Sequence, residues 1–363
     1  MQPRDLSDHI AYEAGRGHEE VARERGLDPT ELVTLSSNEN PLGPSPDAVA
    51  AIREHADAIH RYPKAAHVDL VEAIADRHDV APTQVWLANG GDGALDYLAR
   101  AMLAPGEAVL VPDPGFAYYG MSARYHHGAV TSYPVRREHD FAMDPATILE
   151  AYAGERIVYL TSPHNPTGAV ADRAAIVELA DGTAEDTLLV VDEAYAAFAT
   201  VESACGLLDE RDDVAVLRSF SKSHGLAGLR LGYALVPPAW ADAYAKVSTP
   251  FAASELACRA GLAAVADDDH LEASVELARW GREYIAAELA ANTWPSEGNF
   301  VLAAVGDAAE VTDVLFDRGV IVRDCTSFGL PDCIRISVGR REELRRAVAT
   351  INDLLATNEV AGG

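Results

Sequence analysis

The stretch Ser219-Phe-Ser-Lys-Ser-His-Gly-Leu-Ala-Gly-Leu-Arg-Leu-Gly-Tyr233 holds the residues most able to do chemistry. Lys64, Lys222 and Lys246 are the only lysines, so arginine supplies positive charge almost everywhere else. A lysine kept among so many arginines points to something arginine cannot do. A neutral amine attacks a carbonyl and forms a Schiff base, whereas a guanidinium stays charged. Ser219, Ser221 and Arg230 add two hydroxyls and a forked cation suited to a phosphate. Gly225, Gly228 and Gly232 let the backbone approach closely. A carbonyl-binding lysine beside a phosphate cradle points to pyridoxal 5'-phosphate (PLP). The same residues also suit a polar loop with one surface lysine, and the stretch alone leaves both readings open.

Other clusters lie elsewhere in the chain. Asn89-Gly-Gly-Asp-Gly93 follows a short apolar run and opens a helix with Leu95, Leu98 and Met102 on one face. Free N–H groups and the positive end of the helix dipole would make that turn an anion site, although a bare tight turn fits equally. Its spacing is neither G-x-G-x-x-G nor a P-loop, which counts against a nucleotide. Three apolar runs, Val109–Val111, Ile157–Leu160 and Leu188–Val191, each end in a polar or aromatic cluster. In a parallel sheet the crevice beyond the carboxyl ends of the strands is where ligands sit, so Phe116, Asn165, Asp192, Tyr195 and Lys222 should converge there. Taken singly, Asn165 suits a turn, Asp192 a helix cap and Phe116 the core. In Leu35-Ser-Ser-Asn-Glu-Asn-Pro-Leu-Gly-Pro-Ser45, Pro41 and Pro44 exclude a helix, leaving a turn that faces a ligand or serves as a linker. Tyr62, before Pro63, is held extended with its hydroxyl projecting outward.

The elements that position these groups follow from the periodicity. Strands and helices alternate from Ala108 to Gly182, residues 239–291 read as mostly helical, and strand, helix, strand, strand, helix follows Pro295. At 363 residues the chain suits about two domains. The expected division is an arm over 1–45, a large domain over 46–270 and a small α+β domain over 271–363 that the arm joins. With 57 acidic against 29 basic residues, the net charge of −28 repels nucleic acid and anionic membranes. Scattered acids with so few lysines fit a protein kept soluble in concentrated salt. Cys205, Cys258, Cys325 and Cys333 form no C-x-x-C pair, there is no metal-ligand spacing, and no charged-then-apolar leader opens the sequence. A reducing cytoplasm is the expected compartment.

The sequence resembles the fold-type I PLP-dependent aminotransferases, and among them the histidinol-phosphate aminotransferases of haloarchaeal kind. The likeness runs nearly end to end. It is carried by Asn38-Glu-Asn-Pro-Leu-Gly-Pro-Ser45, Arg61-Tyr-Pro63, His164-Asn-Pro-Thr-Gly168, Val191-Asp-Glu-Ala-Tyr195, Ser221-Lys222 with Ala227-Gly-Leu-Arg230, and Val322-Arg-Asp324 followed by Ile334-Arg-Ile-Ser-Val-Gly339. The resemblance implies an α/β fold with a mostly parallel central sheet and a smaller α+β domain. It also implies transfer of an amino group between L-histidinol phosphate and 2-oxoglutarate, giving imidazole acetol phosphate and L-glutamate in histidine biosynthesis.

Carried over by residue, it makes Lys222 the Schiff-base lysine and proton shuttle, and Asp192 the partner of the pyridine nitrogen. Asn165 and Tyr195 hydrogen-bond the ring hydroxyl oxygen, and Phe116 stacks on the ring, with Tyr118 or Tyr119 as competitors. Gly91, Asp92, Ser219, Ser221 and Arg230 hold the phosphate, joined by Tyr62 from the second subunit of a homodimer. Arg335 grips the carboxylate of glutamate, while Arg323 and Tyr12 take the phosphate of histidinol phosphate and Asn38 lies in the substrate site. Gly93 departs from the family's usual acidic residue and implies a more mobile loop. Threonine-phosphate decarboxylases and aromatic aminotransferases share most of these motifs. A PLP-binding regulatory module without turnover is the alternative of another class.

Overall fold

The computed structural model describes residues 5–12 and 17–357. Two sheets organise it. The larger is built from β2 (Val85–Asn89), β3 (Ala108–Asp113), β4 (Ala129–Pro134), β5 (Ile157–Thr161), β6 (Leu188–Asp192), β7 (Val214–Ser219) and β8 (Leu231–Leu235), the smaller from β1 (Val33–Leu35), β9 (Asn292–Thr293), β10 (Phe300–Ala304), β11 (Val320–Asp324) and β12 (Cys333–Ser337). The larger sheet has the order β2-β8-β7-β6-β5-β3-β4. Strands β3 to β7 run parallel, and β8 is reversed against both β7 and β2.

Strands β5 and β6 are buried along their whole length. Such strands have helices on both faces, which is why their sequences are unbroken apolar runs rather than alternating ones. The side chains still alternate in space. Val158, Leu160, Leu189 and Val191 join one core cluster, while Ile157, Tyr159, Leu188 and Val190 join the other. Asp192 and Glu193 therefore leave β6 toward opposite faces. Strand β4 is an edge, with most of its side chains exposed or half-exposed.

The smaller sheet has the order β1-β11-β12-β10-β9. Its first strand comes from the N-terminal arm, with Val33, Thr34 and Leu35 lying parallel to Val320, Ile321 and Val322. This sheet has its own apolar core, including Leu35, Val301, Val322, Ile336, Leu344 and Ile351. The helix Asp268–Glu288 connects the two bodies. Gly281 in it lies against the small domain so closely that a Cβ there would stand 2.4 Å from Val338 Cγ1. Between the bodies, the Arg137 guanidinium forks onto the Asp332 carboxylate at 2.6 and 2.7 Å and lies 5.2 Å from the Trp294 ring.

Candidate active site

The site lies beyond the carboxyl ends of β5, β6 and β7. Asp192 ends β6 and is 5% exposed. The Tyr119 hydroxyl donates to its Oδ2 at 2.5 Å, and the Ala194 N–H donates to its Oδ1 at 2.9 Å. Burial nevertheless pushes the Asp192 carboxyl up to about 6, because desolvation outweighs the hydrogen bonds that favour the charged form. The cap reading and the buried-acid reading thus describe one carboxylate, since Ala194 takes one oxygen and Tyr119 the other. Tyr119 is fully buried, stacked 4.6 Å from Tyr159 and hydrogen-bonded to Thr161, which takes it out of competition for an open ring face. Phe116 is half-buried, with its ring 5.5 Å from Tyr119 and 6.0 Å from Tyr12. Tyr118 turns its hydroxyl onto Asp96.

A cradle for an anion forms where the helix Gly90–Met102 begins. Gly90 has φ +77°, and a Cβ there would lie 2.5 Å from Nη2 of Arg230. In β8, a Cβ on Gly232 would lie 2.5 Å from the Gly91 nitrogen. These two glycines bring the helix N-terminus, the guanidinium and β8 together, and no other residue type could stand there without moving them. Arg230 donates to Asp92 at 3.0 Å, and its Nη1 lies 3.5 Å from Ser221 Oγ. Ser219 Oγ accepts from the Ser221 N–H at 3.0 Å. Burial raises the Asp92 carboxyl, with Arg230 opposing the shift. Gly93 lies in the first turn of this helix and not in a free loop.

Lys222 reaches from the turn after β7 to the far side of the crevice. Its Nζ donates to the Ser37 carbonyl at 3.2 Å and stands 5.5 Å from the Tyr195 ring centroid. The turn can sit there because Gly225, at φ +67°, packs where a Cβ would be 2.2 Å from the Gly43 carbonyl oxygen. Asn38 has φ +53° and is 1% exposed. It donates to the Tyr195 hydroxyl at 3.1 Å, accepts from Ser337 and takes Asn299 on its carbonyl, so protein partners hold it on every side. Asn38 therefore orients Tyr195.

Two arginines from adjacent antiparallel strands face the crevice, with Arg323 of β11 in register with Arg335 of β12. Arg335 is 5% exposed and donates to Asn165 Oδ1 and to the Ser36 carbonyl, while its Nε has no partner. Burial lowers its pKa from the usual guanidinium value. Arg323 is half-buried, donates to Ser327 Oγ at 2.9 Å and lies 5.5 Å from the Phe328 ring. Tyr12, 53% exposed, lies within electrostatic reach of Tyr195, Arg323 and Arg335, and its partial desolvation raises its hydroxyl pKa.

The crevice thus gathers Asp92, Phe116, Asn165, Asp192, Tyr195, Ser219, Ser221, Lys222, Arg230, Arg323, Arg335 and Tyr12. Tyr62 stands apart at 84% exposure, stacked 5.0 Å from Phe251. Sequence reading missed Tyr119 on Asp192, the Ser36 and Ser37 carbonyls, and Asn299 and Ser337 behind Asn38. The spacing Phe116-x-x-Tyr119 at a helix start could have exposed the first. The others depend on contacts between segments hundreds of residues apart.

The aminotransferase class I and II family model matches residues 30–351. The histidinol-phosphate aminotransferase of Natronomonas pharaonis is 67% identical over 98% of this chain and 100% of its own length. That of Methanococcoides burtonii is 40% identical over 94% and 96%. Among solved structures, the histidinol-phosphate aminotransferase of Sinorhizobium meliloti in complex with pyridoxal-5'-phosphate superposes with a TM-score of 0.87, at 28% identity and 98% coverage of both chains. A Thermus thermophilus aspartate aminotransferase mutant reaches a TM-score of 0.84 at 25% identity, over 98% of this chain and 100% of its own, so fold alone does not separate the substrates. On the strength of the near end-to-end identity, the chain belongs to the histidinol-phosphate aminotransferases within the class I and II aminotransferase family.

Proposed function

We propose that this protein is a PLP-dependent aminotransferase that exchanges an amino group between L-histidinol phosphate and 2-oxoglutarate, yielding imidazole acetol phosphate and L-glutamate in histidine biosynthesis. The observation that carries the substrate reading is the pairing of Arg323 with Arg335 across β11 and β12. Like charges directly opposite one another on a sheet are destabilising, and an anionic substrate offsets that cost. A buried, oriented guanidinium suits the carboxylate of glutamate, and a more open one at the crevice mouth suits a phosphate.

The residues present fit PLP. The glycine-lined cradle at the helix N-terminus, with Ser219, Ser221 and Arg230, matches its phosphate. Asp192, a buried carboxylate at the end of β6, would pair with the pyridine nitrogen, and Lys222, whose Nζ reaches into the crevice, would supply the amine. When bound, PLP supplies an electron sink for negative charge at the substrate α-carbon. The protein's own residues do the rest. Lys222 would hold the cofactor through its amine and would carry the proton to and from the substrate α-carbon. Asp192 holds a proton on the ring nitrogen, Tyr119 fixes the Asp192 carboxylate, and Asn165 and Tyr195 orient the ring oxygen. Phe116 would cover the ring face, Tyr12 and the two arginines would shape the substrate end, and Asn38 orients Tyr195 from behind. The division into an arm over 1–45, a large domain over 46–270 and a small domain over 271–363 serves this reading, because each part contributes to the crevice.

We further take the active form to be a homodimer in a salt-rich cytoplasm. Its support is the exposed Tyr62 and Phe251 pair and the net charge of −28. No helix among the described residues is long and apolar enough to cross a membrane.

The test is stopped-flow measurement of each half-reaction. Arg323→Leu should weaken histidinol phosphate about tenfold to hundredfold, the loss of a charge-assisted contact of roughly 1.5–3 kcal/mol, and spare the glutamate half-reaction. Arg335→Leu should damage the glutamate half-reaction at least as badly. Equal losses in both half-reactions for Arg323→Leu would leave Arg323 a structural residue. Borohydride reduction should fix the cofactor to Lys222; fixation to Lys64 or Lys246 would overturn the assignment.

A further inference from the structure

At the carboxyl ends of β6 and β7 the chain places polar groups on both faces of the sheet. Leu189, Val191, Val214 and Val216 share one face of these strands, so alternation puts Glu193 and Arg218 next in line on it. The same alternation puts Asp192 and Ser219 on the other face, where Leu188, Val190, Ala215 and Leu217 lie. Each member of the charged pair is therefore the chain neighbour of a crevice residue: Glu193 follows Asp192, and Arg218 precedes Ser219.

The pair is buried and closed on itself. Arg218 Nη2 stands 2.6 Å from Glu193 Oε2, with the side chains 16% and 4% exposed. Ser203 Oγ donates to the same carboxylate oxygen at 2.7 Å and accepts from Arg218 Nη2 at 2.9 Å, while the Ala204 N–H donates to Oε1 at 2.6 Å. The backbone ladder between β6 and β7 closes with the Glu193 N–H on the Leu217 carbonyl at 2.9 Å, and the ion pair carries the connection one residue further. Apolar residues of like size would stabilise a buried position at least as well, so stability does not account for two charges at the end of an apolar face. Fixed direction and spacing do.

We propose that Glu193 and Arg218 are positioning residues that set the span of the cofactor site, holding Asp192 at one end and Ser219 of the phosphate cradle at the other. The inference rests on the PLP reading above, in which one molecule bridges Asp192 and the cradle. Each end has local supports of its own. Tyr119 and the Ala194 N–H hold the Asp192 carboxylate, and Gly232, opposite Ser219 on β8, brings up the helix N-terminus. The pair lies on the other face from both, so its loss loosens the distance between the ends and leaves each end intact. A ligand that spans both ends then loses affinity, and a ligand confined to one end does not.

The test titrates the full chain, freed of cofactor, with PLP and with pyridoxal by absorbance, and with inorganic phosphate by phosphorus NMR. The double variant Glu193→Gln, Arg218→Met removes both charges together and leaves no buried charge unpaired, so it should fold. Its affinity for PLP should fall about tenfold to hundredfold, while pyridoxal and inorganic phosphate bind as they do to the unaltered chain. Arg218→Lys keeps the charge pair without the fork and should show a smaller loss of the same kind, for PLP alone. That second variant retains the buried pair, so the comparison does not depend on the double variant folding. A lowered melting temperature with all three affinities unchanged would make the pair merely structural and overturn the proposal. A loss shared by pyridoxal or by inorganic phosphate would overturn it too, because the pair would then act on one end and not on the span. An unaltered chain that takes up no PLP would overturn the cofactor reading and this inference with it, a failure distinct from the other two.

Discussion

Asp192 is a carboxylate placed where burial works against its charge, and that conflict can be measured. Its carboxyl lies near 6 in the folded protein against an ordinary 3.8, so between those values the folded state binds more protons than the unfolded chain. The group's favourable contribution is complete below 3.8 and is lost as pH climbs through 6. Asp192→Asn removes that liability. In the cofactor-free protein it should raise stability at pH 7, on the order of 1–3 kcal/mol, with little change at pH 4. Turnover of the same variant should fall roughly a hundredfold to a thousandfold, because the proton on the ring nitrogen loses its counter-charge. Melting curves at the two pH values, alongside kcat, check both halves. Near-normal turnover would reduce Asp192 to a cap for Ala194. At this scale Asp192 could be read from the sequence because it ends an apolar run. Tyr119, which fixes it, looked like a second ring-stacking aromatic, since only the packing on Tyr159 shows which way its hydroxyl points.

Two glycines three residues apart at the start of the helix Gly90–Met102 do different work. At Gly93 a Cβ would meet Ala88 Cβ at 3.4 Å, ordinary contact, so Gly93→Ala should stabilise the helix by about 0.5–1 kcal/mol without harming the cradle. At Gly90 the backbone is left-handed and a Cβ would press on Arg230, so Gly90→Ala should weaken cofactor binding about tenfold or more. Calorimetric melting and fluorescence titration with the cofactor separate the two effects; equal cofactor affinity in both variants would mean that the glycines do not shape the cradle. The elements themselves were legible where burial is two-sided, as in β5 and β6. Strand β4 was not, because an edge strand with Thr131 and Ser132 exposed carries no apolar run. Strand β8 begins inside the stretch that also suited a polar loop with one surface lysine, and Gly232 within it serves the close approach of the helix at Gly91. The pairing of Arg323 with Arg335 depends on the register of two strands, which neither strand's own sequence specifies.

At the scale of the whole molecule, four of the eight large apolar side chains exposed among the described residues gather in one place, the others being Leu6, Ile10, Tyr12 and Tyr125. Ile59 is 70% exposed, Tyr62 84%, Val68 55% and Phe251 49%, and all lie on or near the loop that carries Tyr62. A patch of that kind on a chain of net charge −28 marks a place where something docks. A second copy fits if salt screens the repulsion between two acidic bodies, so light scattering should report a dimer that tightens as salt rises. Tyr62→Ala should loosen that dimer and lower cofactor affinity together. The sharper test asks whose site Tyr62 serves. Tyr62→Ala and Lys222→Ala chains should each be nearly inactive alone. If Tyr62 completes the neighbouring subunit's cradle, a purified hybrid of the two contains one site with both residues intact and recovers about half of the unaltered dimer's activity. If Tyr62 serves its own subunit, every site in the hybrid lacks one residue or the other. A hybrid no more active than its parents would therefore place Tyr62 outside any shared site, leaving its stacking on Phe251 as surface packing alone.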